Sequence, residues 1–343
     1  MVSQMRAVTI TKHGGPDVLA VRDIPSPEPA EGFVRINVKA AGLNFADVMA
    51  RKGLYPDAPP PPCVVGYETA GEIDSIGKGV LGLAKGQRVL ALSRFGGQAE
   101  QVCVPARQAL PMPDGMSFEE GAALPVVYVT AYHMLFRVAQ LRPKMRVLVH
   151  SAAGGVGIAA IQLCKTIPGV EIFGTASAGK HDFLRELGCH HPIDYRTTDW
   201  AEEIRRITDG KGVDLILDPL GGRDSKKGLA LLRPAGHLIA FGFSRMSTGE
   251  SRNFLRILWE AMGIPIVTPL GLMDKNRTVS GVNVGHLWDE QDMLSEELEA
   301  LLQLWREKKI APHVDAAIPF ASAADAHRRL EERKNVGKVV LVP

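Results

Sequence analysis

The run Val147-Leu148-Val149-His150-Ser151-Ala152-Ala153-Gly154-Gly155-Val156-Gly157 opens apolar, passes through small residues, and continues into Ile158, Ile161 and Leu163 at helical spacing. That is the pattern of strand, tight turn and helix. Ala152, Gly154 and Gly157 fill the three places of a G-x-G-x-x-G motif, with alanine in the first. Backbone amides in such a turn can approach a pyrophosphate, and the following helix aims its positive end at the anion. Glycines at a strand end also serve simply to let a helix pack close to a sheet, so the residues that follow matter. Val170 to Thr175 reads as a second strand. Roughly twenty residues after the last motif glycine, where an NAD site places Asp or Glu on the ribose, this chain has Ser177, and Lys180 follows. A hydroxyl and a cation in place of an acid favour a 2′-phosphate, and so NADPH over NADH. The plain alternative is that Lys180 begins a solvated helix.

The elements around this turn fall into two kinds. Before it, short runs with period-two alternation are punctuated by Pro and Gly: Ala7 to Ile10, Leu19 to Ile24, Phe33 to Ala40, Ala70 to Ile73 and Arg88 to Leu92. These are half-buried strands, and the part they form is expected to be barrel-like. Glu119 to Leu124 and Val127 to Val138 read as helices. From Val147 strands and helices alternate, with later strands at Pro192-Ile193-Asp194, Val213 to Asp218 and His237 to Phe241, and helices near Lys180–Leu187, Trp200–Thr208 and Ser225–Leu232. This series predicts a parallel, doubly wound α/β sheet. A sixth strand is expected at Thr278–Val284, on a sheet edge of the kind that pairs across a two-fold axis, so a homodimer is expected. A charged helix from Asp292 to Lys309 follows, then Val314 to Ile318, a helix Ala321–Arg333 and the strand Val339–Val342. That last strand has no place in a six-stranded sheet and is expected to return to the N-terminal β part.

Composition bounds the rest. The 343 residues suggest about two domains; with 45% hydrophobic and 23% charged residues the chain is ordinary globular protein. A net charge of +2 without a basic stripe implies no nucleic-acid partner. Cys63, Cys103, Cys164 and Cys189 lack C-x-x-C spacing, which argues against a disulfide framework or a zinc clip and for a reducing, cytoplasmic setting. Met1 to Arg6 lack the apolar core of a secretory signal, so none is expected. The apolar stretch Phe254 to Met273 carries Arg256, Glu260, Pro265 and Pro269, so it is expected to be a lid or buried crossover rather than a membrane span.

Several separated segments carry a likeness to known proteins: Ala41 to Arg51, His150 to Gly157, Phe173 to Ser177, His191 to Tyr195, Asp218-Pro219-Leu220-Gly221-Gly222 and Lys334 to Val339. With the β-rich part flanking an inserted nucleotide domain, the chain resembles the medium-chain dehydrogenase/reductase superfamily, in its zinc-free quinone oxidoreductase branch. Within that branch it resembles the synaptic vesicle membrane protein homologues. The resemblance implies a GroES-like catalytic domain over residues 1–127 and 288–343, and a Rossmann NADP-binding domain over 128–287. It also implies that Asn44 and Thr130 lie near the nicotinamide, that Gly154, Gly155, Val156 and Gly157 lie under the pyrophosphate, and that Ser177, Lys180 and Tyr195 surround the 2′-phosphate. Phe241, Gly242, Asn283 and Lys338 would line the remainder of the groove, although Phe241 ends an apolar strand and is equally suited to the core.

The branch departs from zinc alcohol dehydrogenases where metal ligands would sit: Asn44 replaces a ligand Cys, and Gly66-Tyr67-Glu68 replaces Gly-His-Glu. A carboxamide and a phenol are poor zinc ligands, so no metal is expected. The function expected is NADPH-dependent hydride transfer to a quinone or other conjugated carbonyl compound. For such an acceptor Asn44 can donate through its amide and Tyr55 its phenolic proton, with gating or packing the alternative for Tyr55. Asp47 is expected to cap its helix or pair with Arg51, and Glu68 to be structural. The rival reading is a lipid- or membrane-associated protein that keeps NADPH as a structural or regulatory ligand, supported by the apolar run Leu255 to Val267.

Overall fold

The computed structural model describes residues 3–244 and 263–343. The chain divides into two compact units, Met1–Val129 with Val284–Pro343, and Thr130–Asn283.

The first unit begins with β1 (Gln4–Ile10) and β2 (Leu19–Pro25), an antiparallel pair forming its own two-stranded sheet. Then come β3 (Phe33–Leu43), β4 (Glu68–Ile76), β5 (Arg88–Leu92), β6 (Gln101–Pro105) and β7 (Ala109–Pro111). β3 is the hub, flanked by β4, β6 and, from the far end of the chain, the last strand. Val34, Ile36, Val38 and Ala40 alternate inward along it, as period-two patterning requires of a half-covered sheet. From Ala40 to Leu43 every residue is buried, because the helix Phe118–Ala123 packs on this stretch. The side chains Ile36, Ile73, Val89, Val102 and Val104 close into one core.

The second unit contains β8 (Arg146–Val149), β9 (Glu171–Ala176), β10 (His191–Asp194), β11 (Val213–Asp218), β12 (Leu232–Ala240) and β13 (Thr278–Gly281). All pair in parallel, in the order β10-β9-β8-β11-β12-β13. Numbered within the unit this is 3-2-1-4-5-6, the doubly wound order whose connection reverses between β8 and β11. The helix after β8 spans Gly155–Cys164, and eight of its residues are buried. Phe173, Trp200, Ile204 and Ile216 pack one face of the sheet. The chain then re-enters the first unit as β14 (Val314–Pro319) and β15 (Lys338–Val342), with β15 antiparallel to β3. The seven-stranded sheet runs β14-β15-β3-β4-β5-β7, with β6 off that path on β3.

Two sequence expectations shift for local reasons. The helix expected over Val127–Val138 is α-helical only over Pro125–Tyr132, and His133–Val138 winds as a π-helix, with Ala139 N bonding Met134 O at 2.9 Å. A short helix, Pro269–Lys275, overlaps the end of the stretch expected to be a lid or buried crossover, with Thr268 capping it through Gly271 N. Of the apolar run Leu255 to Val267, residues 255–262 fall outside the described residues. Downstream the apolar side chains face outward, Ile266, Leu270 and Met273 being 94%, 78% and 71% exposed.

Two predictions follow from packing. A methyl group on Gly157 would lie 2.5 Å from the carbonyl oxygens of both Ser151 and Ala152, so the helix start can sit this close to the turn only without a side chain. Gly157→Ala is expected to destabilise the fold by about 1–3 kcal/mol, the usual cost of overpacking, as read from chemical denaturation.

Asp47 is fully buried, accepting hydrogen bonds from Asn44 N (2.8 Å) and Gly66 N (3.1 Å). Burial pushes its carboxyl up to about 7 from 3.8, against the pull of those amides. A carboxyl raised in the fold keeps a proton that the unfolded chain has released. Its stabilising contribution is therefore complete below 3.8 and is lost as pH rises towards 7, at up to about 1.4 kcal/mol per pH unit. His327 acts oppositely: burial first, then the neighbouring Arg51, lower it to about 3. Because His327 is common to both proteins, the stability difference between wild type and Asp47→Asn is expected to fall from pH 5 to pH 7 and level off above, in urea titrations at stepped pH.

Candidate active site

In the first unit three neighbouring strand ends meet. Val339 pairs with Leu43, so Lys338 stands beside Asn44 one step further on; β4 pairs Thr69 with Ala41, which brings Glu68 against Gly42. The Lys338 ammonium lies 2.5 Å from Asn44 Oδ1 and 2.5 Å from Glu68 Oε1. Asn44 Nδ2 donates to the same Glu68 oxygen at 2.8 Å, and Val126 N donates to Glu68 Oε2 at 2.7 Å. A Cβ on Gly42 would meet the Glu68 carboxylate at 2.4 Å, so this glycine makes room for the charge. Asn44, Glu68 and Lys338 are 8%, 0% and 3% exposed. Asn44 precedes the helix Phe45–Arg51, a position where an asparagine side chain usually caps the helix. Here Asp47 N bonds the Asn44 backbone oxygen, the Asp47 carboxylate reaches back to Asn44 N, and the Asn44 carboxamide turns away to Lys338 and Glu68.

Of the two roles expected for Asp47 the structure shows the cap. Arg51 pairs instead with Glu331 at 2.7 Å. Lys338, which the resemblance puts along the cofactor groove, bonds Asn44 and Glu68 within the first unit. Tyr55 is half-buried in an aromatic group, edge-on to Tyr67 at 6.1 Å, while Tyr67 stacks on Trp288 at 6.3 Å and meets Phe95 at 5.2 Å. Burial raises the Tyr67 phenol well above its ordinary value, with Tyr55 the next cause. Trp288 had no sequence signal: it lies 221 positions from Tyr67 in a polar stretch, and only the return of the chain brings them together.

These residues do not fit zinc. Glu68 is saturated by an ammonium, a carboxamide and a backbone amide, and a divalent ion placed there would face the Lys338 charge. Among the described residues no group of three or more His, Cys, Asp or Glu side chains could hold a metal.

In the second unit the remaining residues other than Thr130 lie at or just beyond the carboxyl ends of the parallel strands. After β8 the chain turns through Ser151, at φ +53°, to Gly154, which is extended and precedes the helix. The first helical bond is Ile158 N to Gly154 O at 2.9 Å, so the amides of Gly155, Val156 and Gly157 have no acceptor within the helix. That leaves an anion cradle of backbone N–H groups on a ten-residue helix. The turn is braced by Ala152 N to Thr175 O at 3.1 Å and by His150 Nδ1 against Thr175 Oγ1 at 3.0 Å, with the His150 ring edge-on to Trp200 at 4.6 Å.

Asp194 pairs in register with Ala176, so Ser177 and Tyr195 leave the sheet side by side, with Lys180 one turn beyond Ser177. Asp194, next to Tyr195, accepts from Arg196 N and Thr197 Oγ1, and Asp182, two residues after Lys180, accepts from Arg185. Ala240 pairs with Gly281, which places Phe241, Gly242 and Asn283 on adjacent strand ends. Phe241 is half-buried rather than in the core. Asp218 is buried and holds the neighbouring loop through Leu220 N, Gly221 N and Ser225 Oγ. Thr130 lies in the helix Pro125–Tyr132, nearly buried.

Residues 30–114 match the alcohol dehydrogenase GroES-like domain family and residues 187–341 the zinc-binding dehydrogenase family. The chain is 46% identical over 344 residues to the synaptic vesicle membrane protein VAT-1 homolog of Rattus norvegicus, covering 99% of this chain and 84% of that protein. Among solved structures it is similar to the CurK enoyl reductase, at 31% identity and a TM-score of 0.86 with 99% of each chain covered. It is also similar to the Escherichia coli quinone oxidoreductase complexed with NADPH, at 29% identity and a TM-score of 0.84, with 98% and 100% covered. A full-length relative at this identity, with both family matches, makes this chain a member of the medium-chain dehydrogenase/reductase superfamily, among the VAT-1 homologues.

Proposed function

We propose that this oxidoreductase is a metal-free, NADPH-dependent reductase of quinones or other conjugated carbonyl compounds. The observation that carries the reading is the second unit's switch point, where free helix amides meet a strand end bearing Ser177 and Lys180 instead of an acid. NADPH, when bound, supplies a hydride from its nicotinamide ring. Gly155, Val156 and Gly157 hold the pyrophosphate, Ser177, Lys180 and Tyr195 the 2′-phosphate, and Phe241, Gly242, Asn283 and Thr130 the rest. As hydride adds to the conjugated carbon, the electron pair of the double bond shifts onto the acceptor oxygen. Asn44 donates a hydrogen bond to that oxygen, and Tyr55 gives up its hydroxyl proton, which water replaces. The likeness to an enoyl reductase and to a quinone oxidoreductase with bound NADPH supports this acceptor class.

Titration with NADPH and NADH, followed by NADPH oxidation against a panel of quinones and enones, tests the reading. NADPH is expected to bind more tightly, with turnover, and Tyr55→Phe to lower kcat about 100-fold at unchanged NADPH affinity. Tight binding without turnover of any acceptor would reject the reductase in favour of a lipid-associated role.

A homodimer belongs to the same proposal. Among the described residues β13 is an edge strand, and the helix Pro269–Lys275 that precedes it buries none of its residues. Light scattering at micromolar protein is expected to give twice 37.1 kDa. A monomeric mass, together with co-sedimentation with anionic vesicles, would assign the exposed Ile266, Leu270 and Met273 to a lipid surface instead.

A further inference from the structure

We propose that Lys338 and Glu68 are positioning residues: they lock the Asn44 carboxamide in one orientation and polarise it, so that a single side-chain N–H is offered to the oxygen on which charge develops in the acceptor. The inference rests on the reductase reading and assigns to two charged residues a task that reading does not need them for.

The orientation follows from what each group can do. An ammonium only donates and an ionised carboxylate only accepts. With Lys338 Nζ at Asn44 Oδ1 and Glu68 Oε1 at Asn44 Nδ2, the opposite flip would set NH₂ against an ammonium and C=O against a carboxylate. The carboxamide therefore has one allowed state. Its nitrogen carries two hydrogens, one of which goes to Glu68; the other has no acceptor among the described residues, and Asn44 keeps 8% exposure. A cation on the carbonyl oxygen draws electron density through the amide and makes that remaining N–H a stronger donor, since linked hydrogen bonds polarise one another.

The surroundings favour an orienting role over a stabilising one. A buried ion pair is poor value for stability compared with apolar side chains of the same size, yet this one is satisfied at every Glu68 oxygen and is given space by Gly42. The start of the helix is held by Asp47 N on the Asn44 backbone oxygen and by Asn44 N on the Asp47 carboxylate, while the Asn44 carboxamide bonds Lys338 and Glu68.

The test uses the full chain with NADPH and acceptors of two kinds, enones and quinones. Lys338→Met combined with Glu68→Gln removes both charges together and leaves no lone buried ion; Lys338→Arg keeps the charge. The double variant is expected to lose about tenfold or more in kcat, with NADPH affinity within about twofold of wild type. The loss should be larger for enones, whose developing oxyanion is the more basic, than for quinones. Lys338→Arg is expected to retain most activity, and in an Asn44→Ala background the double change should cost nothing further. Equal losses for every acceptor, or losses that add to that of Asn44→Ala, would overturn the proposal while leaving wild-type turnover, and so the reductase reading, intact. A second readout needs no turnover: the Asn44 side-chain amide protons in a ¹⁵N-asparagine-labelled protein. Side-chain amide protons that exchange slowly with solvent in the wild type and faster in the double variant support the lock. Rapid exchange in the wild type would overturn it, whatever the acceptors show.

Discussion

The Lys338 ammonium, 2.5 Å from both Glu68 Oε1 and Asn44 Oδ1, is a charge taken out of water, and it can stay there only while its partners are complete. That condition fixes a good deal of the first unit. β15, β3 and β4 must stop at one level, which their registers provide. Gly42 must lack a side chain, and Val126 must arrive at the start of its helix to occupy the second carboxylate oxygen. The C-terminal return of the chain is therefore more than a closing strand: without β15 the fold would bury Glu68 with no cation.

The second unit rests on a different constraint with the same logic, a close approach that makes polar groups available. Gly157 lies so near the carbonyls of Ser151 and Ala152 that a methyl group cannot fit. Packing and binding are not alternatives at this glycine. The same proximity that seats the helix on the sheet leaves the amides of Gly155 to Gly157 at the end of β8, where the winding of the sheet reverses. The His150 bond to Thr175, backed by Trp200, then fixes the turn from below.

What the sequence disclosed was whatever local period and turn chemistry encode. The βα alternation from Val147 onward, the doubly wound order and the return of Val339–Val342 to the β part all follow from runs of a few residues. Long-range partners did not show. Nothing near Lys338 in the chain points to Glu68, 270 positions away, and the resemblance assigned this lysine to the groove. Arg51 sits one helical turn after Asp47, which makes that pairing the natural local guess, yet it bonds Glu331 on the helix Ala323–Glu331. The exposed helix Pro269–Lys275 was missed for another reason. Its apolar residues read as a buried segment, although Thr268 and Pro269 form a recognisable helix start.

Charge balance connects the two carboxylates of the first unit. Asp47 and Glu68 both act within reach of the one ammonium of Lys338, which pulls the Asp47 carboxyl down while Glu68 pushes it up. Glu68 takes the direct contact, and Asp47 has only the Asn44 and Gly66 amides. With burial the dominant influence, Asp47 keeps its proton up to near neutral pH. The bonds among Lys338, Glu68 and the Asn44 carboxamide use none of the atoms that Asp47 bonds. The titrating group holds only backbone: the start of the helix Phe45–Arg51 and the loop at Gly66.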